Sequence, residues 1–175
     1  MRPGLTLVLL CAALAADGDP PPEYAVKGAF LAHFGRFVTW PAAAFESDDA
    51  PFRIGVVGED PFGKVLDAIA AKPIQGRRVE ISRVKTPRDA KGCHIVFITK
   101  SERKRIAAIL QELAKLPVLT VGETEGFARA GGVIGFLLVE GKVRFEINPE
   151  AARRKKLVLH PKLLRLGTIV EEEGK

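Results

Sequence analysis

Apolar side chains recur at Tyr24, Leu31, Phe34, Phe37 and Val38, close to the three-and-four spacing of one helix face, and Pro41 ends the pattern. The spacing predicts a helix over residues 23–39. Its aromatic load of Phe30, Phe34, Phe37 and Trp40 suits packing on a sheet, each ring contributing about 1.5–3 kcal/mol if fully buried. An irregular acidic stretch over 42–50 separates this helix from Phe52-Arg53-Ile54-Gly55-Val56-Val57, which reads as a strand running into a turn of glycine and proline. Asp60 is a natural N-cap with Pro61 at the first helical position, and Phe62, Val65, Leu66 and Ile69 form the inner face of the helix that follows.

The alternation then repeats. Val79, Ile81 and Val84 alternate with polar residues as a strand, and after a turn at Pro87 the run Ile95-Val96-Phe97-Ile98 reads as a strand buried on both faces. Ser101 is expected to cap a third helix with the stripe Ile106, Ile109, Leu110 and Leu113. Val118 to Val121 is another buried strand, followed by a short helix around Phe127 that stops at Gly131-Gly132. Strands separated by helices of this length imply crossovers and a mostly parallel sheet, hence an α/β fold. The end differs: Val133 to Val139 and Lys142 to Ile147 flank Glu140-Gly141, a hairpin signal that adds an antiparallel extension. Asn148 caps a helix begun by Pro149, and Leu163, Leu164, Leu166, Ile169 and Val170 suggest a last amphipathic helix before an acidic tail, 171–175, that is expected to fray.

The first residues stand apart from this pattern. Arg2, an apolar run from Leu5 to Ala15 and the small residues Ala13-Leu14-Ala15 read as a secretory signal peptide over 1–16, cleaved near Ala15 or Ala16. The run is too short for a membrane span, and Leu10 stands where a lipoprotein would place a small residue before Cys11. A proline-rich spacer, 17–22, leads into one domain over 23–170. With 175 residues, 47% of them apolar, the chain is long enough for one full core. A formal net charge of +6 and basic runs at Arg77-Arg78, Arg103-Lys104-Arg105 and Arg153 to Lys156 would suggest nucleic acid inside a cell. After export that partner is scarce, and solvated faces account for the runs. Cleavage would leave Cys93 as the one thiol, at a strand entrance, where it reads as a small buried hydrophobe.

Chemistry is mostly missing from the pattern. Gly58-Glu59-Asp60-Pro61-Phe62-Gly63-Lys64-Val65 has the glycine spacing of a phosphate loop, but Val65 offers no hydroxyl to magnesium, and Glu59 and Asp60 place carboxylates where phosphate oxygens would sit. His33, His94 and His160 fall on different elements, so no metal site is expected, and no cofactor. There is no Gly-x-Ser-x-Gly elbow, and nothing argues for an enzyme. What remains is the rim at the carboxyl ends of the strands, Gly58 to Gly63, Thr99 to Ser101 and Gly122 to Thr124, where an α/β sheet receives ligands.

Val26-Lys27-Gly28-Ala29-Phe30-Leu31 through Trp40-Pro41, together with Ile54 to Gly63, Cys93 to Ile98, Val118 to Val121, Gly131-Gly132, Arg144 to Asn148 and Leu163 to Leu166, resembles the YfiR/HmsC family of small periplasmic proteins. The resemblance implies a Rossmann-like three-layer domain with helices on both faces of the sheet, periplasmic and homodimeric. It also implies a regulator that restrains an inner-membrane diguanylate cyclase, and so cyclic di-GMP and biofilm formation, by binding the sensor region of that enzyme. A small-molecule-binding sensory module without a cyclase partner is the alternative. Relatives that carry disulfides make a redox input plausible there, whereas Cys93 has no partner in a cleaved chain. The residues expected to touch a partner or ligand are Phe37 and Trp40 on the aromatic helix, Glu59, Asp60 and Phe62 on the first loop, and Thr99, Ser101 and Glu123 on the rim.

Overall fold

The computed structural model describes residues 23–173, so the expected signal peptide, its cleavage point and the proline-rich spacer lie outside the described residues. Helix α1 (Glu23–Phe37) turns Leu31 and Phe34 inward and ends two residues earlier than its apolar spacing predicts. Val38–Thr39 instead forms a short strand, β1, because a partner waits for it near the other end of the chain: β8 (Val158–Leu159) pairs with it antiparallel.

The main sheet contains β2 (Phe52–Val57), β3 (Val79–Val84), β4 (Ile95–Ile98), β5 (Leu119–Gly122), β6 (Ile134–Val139), β7 (Lys142–Ile147) and β9 (Thr168–Ile169), in the order β3-β2-β4-β5-β6-β7-β9. From β3 through β6 every neighbour is parallel. The fold is thus mixed α/β with a mostly parallel central sheet, as the alternation of patterns predicts. β6 and β7 pair antiparallel with Val139 opposite Lys142, and the two turn residues, Glu140 and Gly141, have φ of 51° and 74°, the left-handed pair that a tight hairpin turn requires. The hairpin does not end the sheet, since β9 pairs parallel with β7.

Strand side chains alternate between two cores. Ile54 and Val56 of β2, with Ile95 and Phe97 of β4, meet Leu31 and Phe34 of α1 and Leu66 of α2 (Lys64–Ala70). Val57, Val96 and Ile98 meet Ile106, Ile109 and Leu110 of α3 (Ile106–Glu112). All four residues of β4 are buried, which explains why that strand reads as an unbroken apolar run. Cys93 belongs to the second core at 8% exposure, and burial pushes its thiol pKa up to about 11, so it is an inert packing residue.

Four details differ from the sequence pattern. Asp60 does not cap α2: its carboxylate accepts the Phe62 N–H at 2.8 Å in a local turn, and the helix starts three residues later, after Gly63 at φ 52°. Ser101 lies in a single 3-10 turn, Lys100–Glu102, and α3 begins at Ile106. The segment around Phe127 is a series of hydrogen-bonded turns, interrupted by Gly126 at φ 74°, and not a helix. Its ring sits so close to the backbone that a Cβ on Gly122 or Gly132 would come within 2.3 or 2.1 Å of it. The C-terminal amphipathic helix shrinks to α5 (Pro161–Leu164), leaving Leu166 and Ile169 more than half exposed. Asn148, by contrast, caps α4 (Pro149–Arg154) as predicted, accepting from the Ala151 N–H at 2.9 Å. The acidic end is held up to Glu173: Glu172 pairs with Arg154, and the Glu173 N–H donates to Arg129 O at 2.9 Å.

Candidate functional site

In chain order β3 is laid on one side of β2 and β4 on the other, so a topological switch lies between β2 and β4, where an α/β sheet opens a crevice at its carboxyl ends. The loop after β2 leaves through Gly58, whose φ of 97° suits glycine, and a Cβ there would fall 2.2 Å from Thr99 Oγ1. That close approach brings the loops after β2 and β4 together. The Thr99 and Ser101 hydroxyls lie 2.7 Å apart, and Ser101 Oγ also accepts the Glu59 N–H at 3.1 Å.

The loop after β5 joins them through Glu123. Its carboxylate accepts the Lys100 backbone N–H at 3.0 Å, the Tyr24 hydroxyl at 3.0 Å and the Lys27 ammonium at 2.6 Å. The Glu123 and Lys27 side chains are only 3% and 4% exposed, and Glu23 also pairs with Lys27 from one turn earlier on α1. The Lys27 ammonium also lies 4.7 Å above the Tyr24 ring. Burial, then the Glu123 carboxylate, raises the Tyr24 pKa, so the phenol stays protonated and donates.

Two clefts flank this clasp. A cleft of about 160 Å³ is lined by Tyr24, Glu59, Asp60, Thr99, Ser101 and Glu123. A larger one of about 440 Å³ lies between Lys27, Lys100, Glu123 and Glu125 on one side and Phe136 to Val139 on the other. Glu23, Glu123 and Glu125 make the polar wall acidic, while Leu138 and Val139 expose about half of their surface.

Of the residues singled out by sequence, the structure gathers Glu59, Asp60, Thr99, Ser101 and Glu123 at this crevice. Asp60 pairs with Arg83 at 2.8 Å, and Phe62 is core, meeting Phe97 edge-on at 4.8 Å between centroids. Phe37 and Trp40 lie elsewhere. Trp40 is 6% exposed and donates from Nε1 to His94 O at 3.1 Å, so it has little surface to offer. Phe37 is half-buried, packed against His33 and His160. The reading of loops alone misses Tyr24, Lys27 and Arg83. Lys27 does leave a trace in the sequence, a lysine on the stripe shared by Tyr24, Leu31 and Phe34.

Among the described residues no group of histidine, cysteine and carboxylates could hold a metal, and no helix is long and apolar enough to cross a membrane. Within the clasp both Glu123 carboxylate oxygens and the Ser101 hydroxyl meet donors of the chain, which holds α1 and the three loops together.

No curated protein matches the chain. Among solved structures it is similar to a conserved domain protein from Vibrio cholerae, with a TM-score of 0.58 at 13% identity, a likeness of fold that covers 84% of this chain and 60% of that one. Residues 24–168, from the tyrosine of the clasp to the last strand of the sheet, match the YfiR/HmsC-like family model, and the chain belongs to that family.

Proposed function

We propose that this protein is a periplasmic regulatory binding protein that restrains an inner-membrane diguanylate cyclase through contact with the enzyme's periplasmic sensor region. In this reading a signal peptide over 1–16 exports it, one Rossmann-like three-layer domain over 23–170 does the binding as a homodimer, and it needs no cofactor. Membership of the family supports a regulator over an enzyme. The observation that carries the reading is the clasp: Glu123 and Ser101 tie three loops and α1 into one preformed rim, with Glu59 exposed on it. A rim that needs no ordering on contact keeps the entropic cost of association low. The reaction being regulated is the partner's.

The test pairs a deletion strain with a rim variant. Deletion raises cyclic di-GMP and biofilm, and complementation with Glu59→Arg, an exposed change that leaves the clasp intact, restores neither while the protein accumulates normally. Unchanged cyclic di-GMP in the deletion strain would sink the proposal. A second reading, a sensory module for a small molecule, draws on the 440 Å³ cleft with its acidic and apolar walls. Thermal-shift titration with amino acids, amines and nucleotides separates the two, a flat response throughout removing the second.

A further inference from the structure

We propose that the cavity between α3, the turns at 126–131 and α4 binds a small aliphatic monocarboxylate, with Lys155 as its cation. The cavity measures about 340 Å³ and shares no residue with the clefts at the strand ends, so this inference stands apart from the functional reading of that rim.

Lys155 follows α4 and is turned inward because the chain reverses at Lys156, which has a φ of 58°. Lys155 is 7% exposed, and its ammonium donates to Leu113 O at 2.6 Å, at the end of α3. An ammonium has three donors, and among the described residues no carboxylate lies within ion-pair reach of this one. A buried cation compensated only by a carbonyl dipole is costly, and a negative charge brought to it recovers much of that cost. Arg154 adds positive potential beside it, and burial followed by that neighbour pulls the Lys155 pKa down to about 8. Arg154 is itself paired with Glu172 at the cavity wall.

The class of ligand follows from this balance. Among the described residues the lining carries two cations, Lys155 and Arg154, and one carboxylate, Glu172, a balance that suits a single negative charge and that a phosphate dianion would exceed. Apart from the charged residues and Gln111 the lining is apolar and mostly small, with Leu110, Ala107, Ala114 and Ala151, so it takes a short aliphatic body. The volume lies at the lower end of the roughly 300–1,000 Å³ typical of ligand pockets, which sets the size at a small metabolite.

The experiment titrates the full-length mature protein with acetate, butyrate, hexanoate and inorganic phosphate, following thermal stability and the side-chain NMR signal of Lys155. Butyrate and hexanoate are expected to stabilise the fold more than acetate, phosphate to do nothing, and the Lys155 titration to move upward from about 8 as the carboxylate holds its proton. Lys155→Met, which removes the buried charge and keeps the stem, is expected to abolish the response. Arg154→Gln, at a partly exposed position, is expected to weaken it about tenfold or more without unfolding the protein, a loss of about 1.4 kcal/mol. The proposal is overturned if the wild type responds to no monocarboxylate or prefers phosphate. It is also overturned if Lys155→Met responds like the wild type, or if Arg154→Gln leaves the response unchanged. In the first of these cases Lys155 is only a cap for α3.

Discussion

His94 shows how one side chain can fix the protonation chemistry of a fold. It is 2% exposed, stacked between Phe45 and Phe52 at 4.2 and 4.9 Å. Its Nδ1 accepts the Arg53 N–H at 3.0 Å, so Nε2 carries the proton that reaches Ala44 O at 3.1 Å. Only neutral imidazole can do both. Burial, with Arg53 and Arg77 adding to it, moves its pKa from 6.5 down to about 4, even though the bond to Ala44 O, which the charged ring would keep, pulls the other way. The unfolded chain therefore takes up a proton below pH 6.5 that the native state refuses until about pH 4. The contribution of His94 is full above pH 6.5 and falls by up to about 3 kcal/mol across that window. Urea midpoints for the wild type and His94→Gln, measured between pH 7 and 4, should converge as the pH falls, and parallel curves would contradict the assignment. A second test at this scale concerns Lys156, an exposed residue at φ 58° in the reversal that follows α4. The left-handed conformation costs a side chain about 1–2 kcal/mol, of which glycine's extra freedom in the unfolded chain takes back part, so Lys156→Gly should raise stability by about 0.5–1 kcal/mol in denaturant unfolding.

Between elements, the decisive contact is the one that anchors the start of α1 to the end of β5. Glu123 is buried with Lys27 as its cation, so Lys27→Met should cost about 3–5 kcal/mol, whereas Glu123→Leu leaves Lys27 paired with Glu23 and should cost less. The double variant should cost much less than the sum, and an additive cycle would show that the two charges act independently. The element scale also shows what the sequence alone discloses. β4 and β5 are legible because a fully covered strand needs apolar residues on both faces, and the Glu140-Gly141 hairpin because few residues other than glycine, asparagine and aspartate accept its dihedrals. The last segment is not legible: Leu163, Leu164, Leu166 and Ile169 have helical spacing, yet Gly167 lies where a Cβ would be 2.7 Å from Phe145 and 2.8 Å from Ile147, and the open edge of β7 takes Thr168–Ile169 as a strand. Tertiary pairing outweighs local preference there. The rim loops of the candidate site follow from the strand order, but Tyr24 and Lys27 reach it only because the fold brings the start of α1 to Glu123, almost a hundred residues away, which no local pattern encodes.

On the scale of the whole molecule, stability should be graded from the middle of the sheet outward. β2, β4 and β5 lie between two cores and have neighbours on both sides, whereas β9 is a two-residue edge and β1 pairs with β8 alone. In hydrogen exchange, amides of 54–57, 95–98 and 119–122 should open only with global unfolding, and those of 38–39, 158–159 and 168–169 by local fraying. Uniform protection across both groups would mean that the small ribbon and the edge share the stability of the centre. That ribbon has one more consequence. Because Val38 and Thr39 find their partners at 158 and 159, and Phe34 packs on Phe145 as well as on the early strands, the opening helix can be covered in part from the start but is enclosed only when the closing stretch is in place. The two ends of the polypeptide therefore close the structure together, and loss of either one leaves the other's seam open.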